Sequence, residues 1–284
     1  MSKLKRVLLC LLLIVSLACI CTSCGDSEDT DNSNIGDNSS NNDSSDQSQN
    51  NGIGTEIFLN TPVTDNLSVS GEKDWFRFEV QTNGYIEIEF THDTVASTKN
   101  HWCMDIFMSD ATTGYGRTSG RTYWDVVGNE NFTTPLMGVE AGTYYIKIQR
   151  SSSAYSDANY DIKINYTASP DWETEVNNKY NHANNISLYE NKNGSIINND
   201  DVDWYVLNAN GSLTLTFTHA NTDSTKTCWK VTIYSSDGVT EIGKVDVYGN
   251  QESAICSFNA SGTVYIKVTD NYNFRSTSYV LNVS

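Results

Sequence analysis

The stretch Phe90 to Asp110 returns without a gap as Phe217 to Asp237, with ten of 21 positions identical. The identities include Phe-Thr-His at the start, Ser-Thr-Lys in the middle, a following Trp, and Ser-Asp at the end. A unit carried twice constrains architecture more than any local pattern, because each copy has to build the same scaffold. Three further pairs flank the repeat: Asp74-Trp75-Phe76 with Asp203-Trp204-Tyr205, Gly142 to Lys147 with Gly262 to Lys267, and Tyr160 to Ile164 with Tyr279 to Val283. The offset between paired positions falls from 129 to 119 along the unit. Insertions and deletions therefore sit between the matching segments, where surface loops tolerate them.

Within each copy the apolar residues alternate. Phe76, Phe78 and Val80 alternate with Trp75, Arg77 and Glu79, and Ile86, Ile88 and Phe90 with Tyr85, Glu87 and Glu89. Tyr144, Ile146 and Ile148 alternate with Tyr145, Lys147 and Gln149. The second copy repeats this at Tyr205 and Leu207, at Leu213, Leu215 and Phe217, and at Val264, Ile266 and Val268. Period two with one apolar face is the signature of half-buried strands. Many short strands between Gly, Asn, Asp and Ser turns predict an all-β chain of two tandem antiparallel β-sandwich domains, jelly-roll-like, over residues 53–168 and 169–284. Each copy, at about 115 residues, is long enough to bury its own core. The boundary is placed near Thr167-Ala168-Ser169-Pro170, and only Asn177 to Ile186 reads as a stretch that could turn helical.

The first fifty residues concern location. Lys3, Lys5 and Arg6 precede an apolar run from Val7 to Ile20, so residues 1–23 read as an export signal rather than a membrane span. Thr22-Ser23-Cys24-Gly25 resembles the lipobox of bacterial lipoproteins, which makes Cys24 the lipidated residue; Cys19 is the competing site. Residues 24–52 are almost wholly Asp, Asn, Ser, Gln and Gly, a composition that cannot offset its ordering entropy. This disordered tether has a mean reach of roughly 30 Å. The expectation is an exported protein, anchored in a membrane through lipid and displayed on the extracytoplasmic face or cell surface.

Formal net charge is −17; without the three basic residues of the leader it is −20, from 15 basic and 35 acidic residues. That excludes nucleic acid as a partner, since phosphates need a basic footprint. It also disfavours contact of the head with anionic lipid, and suits solubility and cation binding. Cys103, Cys228 and Cys256 remain after the leader, an odd number that defines no disulfide framework, and a Cys228–Cys256 bridge stays open.

Asp201-Val202-Asp203-Trp204-Tyr205, then Gly262 to Val268, then Tyr279 to Val283 resemble the bacterial pre-peptidase C-terminal (PPC) domain family. The resemblance implies small jelly-roll-like sandwiches, usually appended to secreted proteases, whose collagenase relatives bind collagen and calcium. No peptidase domain accompanies them here. Glu173-Thr174-Glu175-Val176-Asn177-Asn178 is similar to the segment with which some family members hold calcium ahead of the first strand. By that resemblance Glu173, Glu175, Asn177, Asn178, Asp200, Asp201 and Asp203 are candidate ligands, with Asn178 replacing an acid of the family pattern. Calcium takes six to eight hard oxygens in loose geometry. The competing view is that Glu173 and Glu175 are solvated linker acids. The first copy has Glu72 and Asp74 but no such segment, so no full site is expected there.

No His-Glu-x-x-His segment, Gly-x-Ser-x-Gly elbow or phosphate-cradling glycine loop is present, so an enzyme is not expected. His92 and His219 occupy equivalent positions and read as structural. Strand parity puts Trp75, Tyr85, Tyr145, Trp204 and Tyr265 on outer faces, where aromatics can stack on sugar rings or grip an extended peptide. Tyr123 and Trp124 read as loop residues extending that surface. Internal packing of the same face is the alternative. The functional expectation is a surface lipoprotein with non-catalytic modules that bind an extracellular protein or polysaccharide. The runner-up is a structural or docking role in the cell envelope, and the third reading is an uncharacterised secreted hydrolase.

Overall fold

The computed structural model describes residues 53–116, 121–271 and 277–284. The leader, Cys24 and the tether lie outside the described residues. The N-terminal half has strands β1 (Thr55–Glu56), β2 (Val63–Asp65), β3 (Lys73–Val80), β4 (Gly84–His92) and β5 (Asn100–Phe107). It continues with β6 (Thr122–Val127), β7 (Phe132–Thr133), β8 (Met137–Val139), β9 (Gly142–Arg150) and β10 (Tyr160–Ala168). The C-terminal half has β11 (Asn184–Asn185), β12 (Asn191–Gly194), β13 (Val202–His219), β14 (Thr227–Tyr234), β15 (Glu241–Tyr248), β16 (Ser253–Asp270) and β17 (Tyr279–Val283). Its only described helical turn, Tyr180–His182, is 3₁₀ and falls inside the segment singled out from sequence.

The chain is all-β with a sandwich-like layering. In the N-terminal half one sheet runs β1-β3-β9-β5-β6 and the other β2-β10-β4-β7, with β8 also on β4. In the C-terminal half the order is β12-β17-β13-β16-β14-β15, with β11 beside β13. Pairing is antiparallel except for one short parallel pair in each half, β1 with β3 and β11 with β13. The long strands β13 and β16 pair from Val202↔Thr269 to Thr218↔Ser253, so they serve both layers. Gly211 and Gly262 interrupt these runs with φ of 98° and 91°, values that side-chain-bearing residues rarely adopt.

Alternation becomes burial. In β4 Ile86, Ile88 and Phe90 are buried while Tyr85, Glu87 and Glu89 are half-exposed. Tyr123 and Trp124 lie in the edge strand β6, not in a loop, because their segment pairs with Asp105 and Met104 of β5. Two separate apolar clusters form, one around Phe90, Trp102 and Ile148, the other around Phe217, Trp229 and Val268. Trp102 stands 5.7 Å from Phe90 and Trp229 stands 5.7 Å from Phe217. His92 and His219 each cap that pair, 4.4 Å from the tryptophan, with ring nitrogens on backbone carbonyls (Val127 and Glu130; Ala220 and Tyr248). Cys103, Cys228 and Cys256 are buried free thiols, so no Cys228–Cys256 bridge forms.

Truncating a fully buried aromatic removes its transfer energy and leaves a cavity. We expect Phe217→Ala to destabilise the C-terminal half by about 3–5 kcal/mol in urea denaturation. A loss below about 1 kcal/mol would contradict the assigned core.

Candidate metal centre

The segment Glu173 to Asn178 enters the C-terminal half beside β13 and carries its acids inward. Glu173, Glu175 and Asp203 are all buried, and one carboxylate oxygen from each lies within 4.8 Å of the others. Backbone geometry fixes them. Glu173 accepts from the Ser195 amide at 2.7 Å and from Tyr205 Oη at 2.7 Å. Tyr205 meets Tyr279 Oη at 2.8 Å, and Tyr279 donates to Asp203. Glu175 accepts from the Asn177 amide at 3.2 Å, and Asn177 Nδ2 donates to Glu173 at 3.1 Å. Asp201, also buried, accepts from the amides of Ile197 at 2.8 Å and Val202 at 2.9 Å.

Gly194 is required here: an added Cβ would stand 2.5 Å from Tyr205 Oη and 2.6 Å from Tyr279 Oη. Two buried oxygens, Asn177 Oδ1 and Asp203 Oδ1, have no protein partner. Such atoms are costly unless something satisfies them. A carboxylate-rich, all-oxygen set with two orphaned oxygens fits a hard divalent cation such as calcium.

The N-terminal half closes the site. Asn178 Nδ2 donates to the Gly116 carbonyl, Ser195 Oγ to the Leu136 carbonyl, and Tyr115 Oη to the Gly138 carbonyl. The Glu173 carbonyl lies against the Gly138 Cα, where no side chain would fit. Ile197, from the loop before Asp201, inserts into the N-terminal core. The acids therefore lie at the seam between the halves.

Of the seven sequence candidates, Glu173, Glu175 and Asp203 converge, and Asn177 and Asp201 are buried beside them. Two do not join. Asn178 spends its side chain on Gly116 and on the Val202 amide at 3.0 Å. Asp200 is exposed and lines a cleft of about 340 Å³ with Asn198, Asn199, Arg121, Tyr123 and Trp124. Asp200 lies in the turn closed by the Asp201 amide on the Asn198 carbonyl at 3.2 Å, and it faces solvent there. Sequence reasoning missed Tyr205, Tyr279 and Ser195 as supports and Tyr115 as a wall. The two tyrosines were visible in the motifs, but their meeting depends on strand register.

In the N-terminal half Tyr160 Oη donates to Asp74 as Tyr279 does to Asp203. Phe76 stands there where Tyr205 stands in the other half, each beside the Asp-Trp pair, and Asp65 faces Tyr160 as Gly194 faces Tyr279. Among the described residues no second group of three converging metal-type ligands occurs.

The aromatic residues do not form one open platform. Trp75 and Tyr145 lie on one sheet and Tyr85 on the other, where its ring packs 4.6 Å from Trp172. Trp204 is only 8% exposed, because Lys267 and the Tyr180 turn cover it. Tyr265 is half-buried against Tyr180, at 5.4 Å. Parity placed these side chains on outer faces, but chain segments distant in sequence fold over them.

Burial drives the charge behaviour of the site. Desolvation raises the Glu173 carboxyl to about 7. It holds Glu175 and Asp203 well above the carboxylate range too, with repulsion from neighbouring acids adding to the shift. Between the ordinary Glu value of 4.5 and about 7, the cation-free native state binds more protons than the unfolded chain. Its stability therefore falls as pH rises through that window. We expect the chelated protein to melt at a higher temperature near pH 5 than near pH 7.5, and Glu175→Gln to flatten the dependence. A chelated protein that gains stability over this interval would contradict the assignment.

No protein-family model and no curated protein matches the chain. Among solved structures, the pre-peptidase C-terminal domain of a collagenase from Bacillus anthracis aligns over 40% of this chain and 99% of its own, with 17% identity and a TM-score of 0.30. The CBM22-1–CBM22-2 tandem domain of Paenibacillus barcinonensis Xyn10C aligns over 73% of this chain and 81% of its own, with 9% identity and a TM-score of 0.22. The M60 catalytic domain with two CBM51 domains from Clostridium perfringens ZmpB aligns over 75% of this chain and 34% of its own, with 7% identity and a TM-score of 0.24. At these identities and TM-scores the likenesses assign neither a family nor a ligand.

Proposed function

We propose that this chain is a surface-displayed lipoprotein whose head is two tandem, non-catalytic PPC-like sandwich modules that bind an extracellular protein or polysaccharide, with calcium as a structural ion at their seam. The observation that carries the calcium reading is the buried acid set with two unpartnered oxygens, closed by backbone of the N-terminal half. Glu173, Glu175, Asn177, Asp201 and Asp203 would hold the ion. When bound, it would offset the mutual repulsion of the buried Glu175, Asp201 and Asp203 carboxylates. Because Gly116, Leu136 and Gly138 touch the same shell, the ion would also fix the two modules to one another. The leader, the Cys24 motif and the polar tether support the anchored placement. The sequence motifs at Asp201 to Tyr205, Gly262 to Val268 and Tyr279 to Val283 support the PPC-like reading.

A second reading, a spacer or docking element of the cell envelope, is favoured by the shielding of Trp204 and Tyr85. Pull-down on insoluble collagen, cellulose, xylan and peptidoglycan, with and without calcium, separates the two. Retention on one polymer supports the binding module, and no retention on any supports the spacer.

A cation that binds only the native state stabilises it by about 2.7 kcal/mol at a hundredfold excess over Kd. We expect millimolar calcium to raise the melting temperature by several degrees, and Glu175→Gln combined with Asp203→Asn to abolish the rise. An unchanged melt of the unsubstituted protein would remove the calcium reading.

A further inference from the structure

The two halves carry the same three-residue rung on one sheet, and differ at one member of it. In the N-terminal half Trp75 on β3, Lys147 on β9 and Asp105 on β5 lie side by side across three adjacent strands. Lys147 Nζ sits 5.5 Å from the Trp75 ring centroid and 3.3 Å from Asp105 Oδ2. Arg121 completes the group at 2.6 Å from the same carboxylate. Asp105 is fully buried, so the cation and its counter-ion are both internal.

In the C-terminal half the matching rung is Trp204 on β13, Lys267 on β16 and Thr232 on β14. Lys267 Nζ sits 5.5 Å from the Trp204 ring centroid, the same placement as its counterpart. Threonine stands where the aspartate would be. Among the described residues no carboxylate lies within ion-pair distance of Lys267. Lys230, two residues before Thr232 on β14, is close enough to repel it. Burial and that repulsion hold the Lys267 amine below its ordinary range.

A partly desolvated ammonium without a counter-ion is a waiting anion site. Its surroundings say what kind of anion. Trp204, Tyr234, Tyr265 and Tyr180 frame it: Tyr234 lies 5.3 Å from Trp204, and Tyr180 stands edge-on to Tyr265 at 5.4 Å. Tyr180 is 44% exposed, so its ring is open to solvent. The exposed Tyr180 ring, edge-on to the half-exposed Tyr265 beside Lys267 on β16, suits a sugar ring that stacks on it and turns a carboxylate to the amine. The rest of the molecule limits the ligand further. A chain of net charge −17 repels a polyanion, so a ligand with one carboxylate at the contact fits better than a densely charged polymer.

We propose that the outer sheet face of the C-terminal half is a saccharide subsite, in which Lys267 takes the carboxylate of an acidic sugar residue and the exposed Tyr180 ring, with the half-exposed Tyr265 ring, holds its pyranose while Trp204 backs the lysine from beneath. The proposal rests on the binding-module reading and gives that reading its ligand class.

The test uses the full head and two probes: an oligosaccharide ending in glucuronic acid and its counterpart ending in glucose. Affinities are measured by calorimetry, with tryptophan fluorescence as a local reporter. Two variants separate the charge from the fold. Lys267→Met keeps the aliphatic stem over Trp204 and loses the charge. Thr232→Asp rebuilds the internal partner found in the N-terminal half. We expect the acidic probe to bind at least about tenfold more tightly than the neutral one, and both variants to lose that advantage while keeping the calcium-dependent melt. Equal affinity for the two probes, or a Thr232→Asp protein that binds the acidic probe as the parent does, overturns the proposal. Binding of an acidic peptide through Lys267 with no binding of either sugar overturns the ligand class. Retention on a neutral polymer that is indifferent to both variants overturns this subsite and leaves the binding-module reading standing.

Discussion

Four carboxylates, Glu173, Glu175, Asp201 and Asp203, are buried together at the seam of two β-sandwich halves, and this concentration of like charge is the constraint on which the arrangement turns. Water cannot screen them, and repulsion between neighbouring acids adds to the effect of burial at Glu175 and Asp203. Such a group is compatible with a folded state only if protons or a cation take up the charge. The surrounding architecture is consistent with either occupant: amides of Ser195, Asn177, Ile197 and Val202 and hydroxyls of Tyr205 and Tyr279 all donate toward the oxygens. What donors cannot supply is partners for Asn177 Oδ1 and Asp203 Oδ1. Those two oxygens are the atoms on which the proposed cation reading rests.

The position of the cluster gives it leverage. Gly116, Leu136 and Gly138 belong to the N-terminal half, yet they or their carbonyls contact the shell around the acids. Ile197 crosses the seam into the opposite core. The acid cluster and the mutual orientation of the halves are therefore linked through side-chain-to-carbonyl contacts across the seam.

Much of the fold was legible in the sequence. The repeat at Phe90 and Phe217 located equivalent strands, and alternation at Ile86, Ile88 and Phe90 named the buried face. Glu173, Glu175 and Asp203 were legible only through a family resemblance, and Asp200, which the same resemblance included, is exposed, since a run of acids does not reveal which side chains turn inward. The contacts that seal the site were not legible. They join Gly116 to Asn178 and Leu136 to Ser195, pairs about sixty residues apart whose meeting depends on how two finished sandwiches pack. Trp204 was misplaced for a related reason: parity sets the face but not what folds over it, and the Tyr180 turn does so from 24 residues earlier. The Asp105 to Thr232 difference stood in the aligned repeat, but only strand register showed that both face a lysine.

The most direct test is calorimetric titration of calcium into the chelated protein in two buffers of different ionisation enthalpy, just below neutral pH. Carboxylates held above their ordinary range must surrender protons when a cation replaces them. The account expects one ion per chain, with an apparent heat that differs between buffers by the released protons. Saturable heat that is identical in both buffers, or no heat at millimolar calcium, would contradict it.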